Sequence, residues 1–289
     1  MKLRWPVALA FLAPALLLYM SFLVLPTVAS FALSLTDFRG TGTAAWVGLS
    51  NYSRMLEDDT LHAALSNTVT FTLLVVFAQN GLGLLLAVWL GKLPRVRNTL
   101  RVALFTPSVL ALVIVGYVWS YIFYPLGGPL NTVLDALGLG NLKQVWLGGG
   151  FVTIASTAGV MVWTYLGHST AIYLAGYLSI PRELTESAEL DGAGPWQRFW
   201  KIEWPLLAPA TTVTVTLSLI GCLRVFDLPY ALTGGIGGSM PYLSVTIYRN
   251  AFVSNAFGYA AAIAVVTVAL IVLASGITTQ ALRARENRL

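Results

Sequence analysis

The chain has 289 residues, of which 57% are hydrophobic and 10% are charged, and its mean hydropathy is +0.75. A soluble domain carries about 25% charged residues on average. The composition therefore excludes an ordinary soluble protein and predicts a polytopic membrane protein. The net charge of +5 does not indicate nucleic acid, which we do not expect as a partner. The single cysteine, Cys222, excludes an intrachain disulfide and a cysteine-based metal cluster.

Six apolar segments have about 20 residues or more, the length that crosses a bilayer as a helix. Because backbone polar groups must be paired within lipid, these segments are predicted to be helices. The sequence thus predicts an all-α protein in which residues 1–289 form a single transmembrane domain. The six predicted spans are 7–34, 67–91, 102–124, 151–178, 206–226 and 257–282.

The positions of Lys and Arg predict the orientation of these spans. With the N-terminus in the cytoplasm, 12 of the 17 basic residues lie inside and 5 lie outside, as the positive-inside rule requires. Six spans also return the C-terminus to the cytoplasm. The inside set is Lys2, Arg4, Lys92, Arg95, Arg97, Arg101, Arg182, Arg198, Lys201, Arg283, Arg285 and Arg288.

The N-terminus has an alternative interpretation. Basic residues ahead of an apolar run also resemble a signal peptide, with a cleavage region at 28–30. The apolar run is long for a signal peptide, so we favour a retained first helix.

Motifs for catalysis are missing from the sequence. The two histidines, His62 and His168, are far apart, and neither HExxH nor GxSxG occurs. The run GLGLLLAVWLGK at 81–92 fails as a phosphate-binding loop, because its first Gly is misplaced and Leu93 follows Lys92 where Ser or Thr is needed. We expect no catalytic residue, metal or cofactor in this chain, which should not hydrolyse ATP by itself.

The segment 181–205, PRELTESAELDGAGPWQRFWKIEWP, contains eight of the chain's 29 charged residues. Ser179 and Pro181 predict a helix start, Gly192 predicts its end, and Pro195 can begin a second short helix. Three aromatic residues then share one face at helical spacing: Trp196, Phe199 and Trp200. This helix–turn–helix fits either an interfacial hairpin with Trp at the lipid headgroups or an element that docks on another protein.

The same segment resembles the cytoplasmic loop signature of ATP-binding-cassette (ABC) importer permeases, which is Glu-Ala-Ala, then Asp-Gly-Ala, then spaced Phe, Ile and Leu-Pro. Ser187 replaces the middle Ala of that signature, and Trp204 replaces the Leu. The matching residues are Glu186-Ser187-Ala188, Asp191-Gly192-Ala193, Phe199, Ile202 and Pro205.

The resemblance extends over nearly the whole chain and favours the carbohydrate-importer group, the maltose-type and sn-glycerol-3-phosphate-type permeases. The stretches that carry it include NYSRML, LSNTVTF, LFTPSVLALVIVGYVWSYIF, RVFDLPYALTGG and IYRNAF. It implies the type I ABC importer permease fold, in a bacterial cytoplasmic membrane. It also implies four kinds of partner: a second, related permease, two copies of an ATPase that binds ATP-Mg, an extracytoplasmic solute-binding protein and a sugar-like solute.

The resemblance also implies how the loop works. The loop would insert a short coupling helix into the ATPase, with Glu186 pairing with a basic group, Ala188 and Ala193 allowing close approach, and Gly192 acting as the elbow. The residues expected to couple to the ATPase are Glu186, Ser187, Ala188, Asp191, Gly192, Ala193, Phe199 and Pro205.

Polar groups inside spans are candidates for the solute path because they are costly in lipid. In the maltose-type permeases the fourth and fifth spans contact sugar, which adds aromatic candidates by analogy. Two alternatives stay open: Arg224 and Asp227 could neutralise each other as a helical pair, and His168 could be a packing residue. The candidates are Gln79, Asn80, Trp163, Tyr165, His168, Arg224, Phe226 and Asp227.

Three other functions fit parts of the sequence less well. An ion-coupled secondary carrier needs acids in mid-membrane, where only Asp227 comes near. A membrane enzyme that acts on lipid-linked substrates would have only the acids at 183–203 as a catalytic cluster. The long first outer loop of this chain favours the carbohydrate group over a permease of the same family for amino acids or ions.

Overall fold

The computed structural model describes residues 5–235 and 240–286. Within these ranges the protein is helical, with no β-strand and one isolated antiparallel bridge between Thr36 and Trp46. The all-α prediction is confirmed. Three of the basic residues counted as inside lie outside the described residues: Lys2, Arg4 and Arg288.

The described α-helices are connected by loops and by short 3₁₀ or π turns. In chain order they are α1 (Trp5–Tyr19), α2 (Leu25–Leu33), α3 (Ser50–Met55), α4 (Asp59–Gly91), α5 (Arg97–Phe105), α6 (Leu112–Ile122), α7 (Pro129–Ala136), α8 (Gly150–Leu178), α9 (Arg182–Leu190), α10 (Pro195–Arg198), α11 (Trp204–Leu206), α12 (Ala208–Leu223), α13 (Asp227–Leu232), α14 (Leu243–Phe252) and α15 (Phe257–Glu286).

Four helical segments are long and apolar enough to cross a membrane, and two bent helix pairs raise the number to six. The four are Phe11–Leu33, Asp59–Gly91, Gly150–Leu178 and Phe257–Glu286. The bent pairs are Arg97–Val109 with Leu112–Ile122 and Pro195–Leu206 with Ala208–Leu223. These segments correspond in order to the six predicted spans.

The third predicted span, 102–124, is a broken helix and not the continuous one we expected. After α5 the chain forms a 3₁₀ turn at Thr106–Val109, and α6 then leaves at 94°. Pro107 lies in that turn and has no N–H for a helical hydrogen bond. Leu110 and Ala111 are extended, with ψ of 141° and 131°. The direction of the helix therefore changes inside this span.

The fifth predicted span, 206–226, begins and ends differently from the prediction. Pro205 lies in the short helix α11, and α12 starts at Ala208 after a 67° bend. At its other end α12 stops at Leu223. The first span is also irregular, because a π turn at Met20–Val24 separates α1 from α2.

The chain forms two compact units. The first comprises the described residues up to Leu61 together with Thr246–Ala269. The second comprises His62–Val245 and the described residues from Leu270 onward. The cytoplasmic loop predicted at 181–205 lies wholly in the second unit.

In the first unit, Asp58 accepts a hydrogen bond of 2.6 Å from the hydroxyl of Tyr259, whose ring lies under the guanidinium of Arg54 at 4.1 Å. Burial opposes ionisation of Asp58. The hydrogen bonds from Tyr259 and from the backbone N–H groups of Leu61 and Thr60, with the charge of Arg54, outweigh burial and hold the pKa of Asp58 below its ordinary value.

In the second unit, neighbouring helices approach closely where one of them has a glycine. A Cβ atom on Gly83 of α4 would lie 2.9 Å from the Cβ of Ser169 in α8. A Cβ on Gly176 of α8 would likewise lie 2.9 Å from the Cβ of Ala210 in α12. Small residues at helix contacts are typical of membrane bundles, in which packing replaces the hydrophobic effect.

Candidate functional site

The predicted helix–turn–helix is present, and its turn has a defined hydrogen-bonding pattern. Helix α9 ends before Gly192, whose φ is +79°. The N–H of Gly192 bonds to the carbonyl of Glu189 at 3.1 Å, and the N–H of Ala193 bonds to that of Ala188 at 2.9 Å. This pair of bonds is a Schellman motif, which requires the left-handed conformation that glycine adopts most readily.

The surface of α9 is acidic, and it also exposes two leucines, Leu184 and Leu190. Glu186 and Ser187 are exposed, and Leu190 is 90% exposed at the end of the helix. Ala188 is only 7% exposed, so this small side chain packs within the chain itself. Leu190 was missed by our sequence reasoning, although an apolar residue directly before Asp191 in an acidic helix is a visible signal.

Ionic contacts connect α9 to the segment that follows the turn. Arg198 pairs with Glu189 of α9 and also donates from Nε to Glu203 Oε1 at 3.1 Å. The hydroxyl of Tyr177, near the end of α8, donates to the same oxygen at 3.4 Å. Glu203 is 2% exposed, so its carboxylate depends on these two donors. The sequence identified these charged residues but did not predict which of them form ion pairs.

The aromatic residues beyond the turn form one cluster. The ring centroids of Trp196 and Trp200 are 5.6 Å apart, and those of Phe199 and Trp200 are 5.3 Å apart. Trp204 extends the cluster, and Arg285 lies 4.6 Å over its ring. Phe199 is half-buried, which makes it part of the internal packing of the loop.

A cavity of about 470 Å³ lies among α4, α8, α12 and α13. Its wall combines apolar groups, two serines and several groups that can be charged or form hydrogen bonds. Pockets of this kind are typical small-molecule sites. Six of the eight candidate residues for the solute path line it: Gln79, Tyr165, His168, Arg224, Phe226 and Asp227.

The other two candidates, Asn80 and Trp163, are not on the cavity wall. Asn80 is buried and donates from Nδ2 to Ser218 Oγ at 3.0 Å, which positions a serine that does line the cavity. Trp163 packs on Trp119 of α6 at 5.5 Å. Residues 163 and 165 differ by about 200° around a helix, so Trp163 and Tyr165 point to opposite sides of α8.

Arg224 and Asp227 do not form the helical pair that we considered. Helix α12 ends at Leu223, and α13 begins at Asp227, so the two residues lie on different helices. In the described ranges no salt bridge within 4.0 Å joins them, and both are exposed at the cavity. Their charges are thus both presented to the cavity.

His168 lies at the cavity and also packs against aromatic rings. It lines the cavity, and its ring also lies 4.3 Å from that of Phe105 and 5.6 Å from that of Tyr165. Gln79 is held in place by a hydrogen bond of 2.7 Å from Nε2 to Ser169 Oγ. Across residues 5–235 and 240–286, no three side chains of His, Cys, Asp or Glu come together as metal ligands.

Curated relatives match this chain over most of its length. It is 35% identical to the probable ABC transporter permease protein YurN of Bacillus subtilis, over 91% of this chain and 90% of that protein. It is 30% identical to the probable starch degradation products transport system permease protein AmyD of Thermoanaerobacterium thermosulfurigenes, over 96% and 94%. It is 32% identical to the arabinooligosaccharides transport system permease protein AraP of Bacillus subtilis, over 92% and 85%.

The fold is also shared with a solved structure. The crystal structure of a bacterial ABC transporter involved in the import of the acidic polysaccharide alginate matches with a TM-score of 0.79 at 21% identity, covering 95% of this chain and 94% of that one. The profile of one protein family, the binding-protein-dependent transport system inner membrane component, matches residues 79–285. The chain therefore belongs to that family and is a multi-pass permease subunit of an ABC transporter, a transport component and not an enzyme.

Proposed function

We propose that this chain forms half of the pathway of an ATP-driven importer for an oligosaccharide or a related polyol or glycerol-phosphate solute. The observation that carries the proposal is the cavity, where the aromatic rings of Tyr165 and Phe226 lie beside Gln79, Arg224 and Asp227. Apolar ring faces suit the C–H surface of a sugar, and the polar groups suit its hydroxyls. The relatives named for starch products and arabinooligosaccharides support the same solute class.

Uptake measurements test this solute class. Cells that lack their own importer would express this chain with its partner subunits and receive labelled starch-derived oligosaccharides, arabinooligosaccharides or amino acids. Uptake of an oligosaccharide supports the proposal. Uptake of amino acids alone would instead favour the alternative, an ABC permease for a solute that is not a carbohydrate. Family membership already disfavours an ion-coupled carrier.

Two matched variants test the cavity itself. Phe226→Ala removes a ring from the cavity wall, and Trp163→Ala removes a ring that faces away from it. We expect uptake to fall for Phe226→Ala and to stay close to wild type for Trp163→Ala, at equal amounts of assembled complex. Equal uptake by both variants would remove the cavity from the solute path.

We further propose that α9 docks on the ATPase, on the cytoplasmic side that the count of basic residues predicts for it. The exposed Glu186 would pair with a basic group of the ATPase, and Ser187 and Leu190 would contact its surface. Glu186→Gln should then lower co-purification of the ATPase, whereas Glu183→Gln removes an equal charge from the first turn of the same helix and serves as the control. Full retention of the ATPase by Glu186→Gln would exclude this ion pair.

The remaining partners follow from the family. We propose that a second permease completes the pathway, that two ATPase subunits hold ATP-Mg, and that an extracytoplasmic binding protein delivers the solute. A solved alginate transporter is described in complex with an alginate pentasaccharide-bound periplasmic protein, which supports the last of these partners. Mass spectrometry of chains that co-purify with this permease would identify each partner and whether the second permease is a different chain.

A further inference from the structure

We propose that Arg198 carries movement from α9 to the membrane-spanning helices, as a positioning residue for coupling. The proposal rests on the proposed docking of α9 on an ATPase. It goes beyond docking because Arg198 lies after the turn, on the side of the loop that leads into α12.

The turn between α9 and α10 must resist bending if α9 is to transmit movement to the rest of the chain. Only residues 191–194 connect the two helices. Gly192 has a φ of +79°, and apart from its two chain neighbours no atom of the described residues lies within 4 Å of the position a Cβ would take there, so none of them packs against the turn at this point. A displacement of α9 could therefore be absorbed by rotation at the turn. The ion pair between Arg198 and Glu189 crosses the turn and opposes that rotation.

The second contact of Arg198 leads into the membrane-spanning helices. Its Nε donates to Glu203, which lies five residues before α12 begins and is 2% exposed. Glu203 in turn accepts the hydroxyl of Tyr177 on α8. The ring of Tyr177 packs against Gly91 of α4, where an added Cβ would lie 2.5 Å from the ring. Through Glu203 and Tyr177, one arginine thus connects α9 to the ends of α4 and α8 and to the segment that precedes α12.

The chemistry of the contact requires arginine. The guanidinium presents five N–H donors in a fixed planar fork and can bond two carboxylates at once, whereas lysine offers a single charged point on a flexible stem. Its side chain is 18% exposed, so water competes little for these donors. Among the described residues, loss of Arg198 would leave the carboxylate of the buried Glu203 with one hydrogen-bond donor, the hydroxyl of Tyr177.

The test uses the complete complex in proteoliposomes: this permease, its partner permease, the ATPase and the binding protein. A reporter thiol is placed on the cavity wall as Ser218→Cys in a Cys222→Ala background. Its labelling rate by a charged maleimide is measured with and without ATP and vanadate, so the readout requires no knowledge of the solute. Arg198→Met removes the charge and keeps the stem, and Lys201→Met does the same at an exposed position nearby.

We expect Arg198→Met to retain the ATPase on purification but to reduce the ATP-driven change in labelling by about tenfold, within the range of coupling between protein sites. Lys201→Met should keep that change, and Arg198→Lys should restore part of it. If Arg198→Met behaves as Lys201→Met does, or loses the ATPase as Glu186→Gln is expected to, the proposal is wrong. If Arg198→Met does not reach the membrane, Glu203→Gln replaces it, and we expect the same reduction of the ATP-driven change in labelling. An unmodified complex in which α9 does not hold the ATPase would refute the docking on which the proposal rests.

Discussion

The tightest helix contact beside the cavity gives a quantitative prediction for Gly167→Ala. A Cβ at Gly167 of α8 would lie 2.4 Å from the carbonyl oxygen of Leu104, 2.7 Å from its carbonyl carbon and 2.9 Å from the Cα of Phe105. All three atoms belong to the backbone of α5, so no side-chain rotation can relieve the overlap. Overpacking of this kind costs about 1–3 kcal/mol, and α5 must move away to reduce it.

Gly159→Ala on the same helix is the matched control. Apart from its chain neighbours and the adjacent backbone of its own helix, no atom of the described residues lies within 4 Å of the Cβ position at Gly159, so alanine there brings only its higher helix propensity, about 0.5–1 kcal/mol. Both variants gain that propensity, so their difference in unfolding free energy is the overlap alone. It corresponds to a melting temperature about 2–12 °C lower for Gly167→Ala than for Gly159→Ala.

The assay is thermal unfolding of the purified complex in detergent, followed by tryptophan fluorescence and size-exclusion chromatography, with solute uptake measured in parallel. Uptake should also fall for Gly167→Ala, because the end of α5 places Phe105 against His168 at the cavity. Equal melting temperatures for the two variants would show that α5 and α8 do not pack at the described distance.

Three further predictions concern single residues. Asp58→Asn should lower the melting temperature at pH 7. The difference from wild type should begin to shrink as pH falls below about 4 and be lost as pH falls through the lower pKa of the folded state, since a lowered pKa stabilises the fold only while the carboxyl is ionised. A constant difference would assign the effect to packing. Gly192→Val should reduce the ATPase activity that the loaded binding protein stimulates, and Gly192→Asn should reduce it less. A branched side chain at φ +79° is strained by about 1–2 kcal/mol or more, whereas Asn tolerates that region. Equal activities of the two variants would show that the turn conformation is unimportant. Leu190→Ala should leave the thermal stability of the permease unchanged but weaken ATPase binding by about 1–3 kcal/mol, as for an interface anchor. Unchanged binding would place Leu190 outside the interface.

The sequence was sufficient to predict that the long apolar segments are helical and approximately where they lie, but not the short helices α3, α7, α13 and α14. Apolar length predicted the six segments that correspond to the four long apolar helices and the two bent helix pairs, because crossing a bilayer imposes a minimum run of apolar residues. It did not predict the 94° change of direction after Val109. Pro107 lies in this turn and cannot donate a helical hydrogen bond. Proline is nevertheless tolerated in membrane helices when neighbouring groups pair with the backbone carbonyl that it leaves free. The presence of proline alone therefore does not decide between a kink and a break.

The coupling loop and the cavity were likewise predicted only in part. Proline, glycine and spaced aromatic residues predicted the helix–turn–helix at 181–205, because these residue types act on the local backbone. The cavity-lining side chains were partly predicted because polar groups in a span are unusual. The side of α8 that faces the cavity was not predicted: Tyr165 and His168 line the cavity, whereas Trp163 packs on Trp119.

The sequence by itself determined the class of protein and the order of its long apolar helices, and it predicted the helix–turn–helix that begins with α9, since each depends on composition or on neighbouring residues. Only the tertiary structure decided which distant groups meet. Tyr177 and Glu203 are 26 residues apart, and Gln79 and Ser169 are 90 apart. Such pairs depend on how whole helices pack, and glycines such as Gly83 set that packing through the side chain they lack.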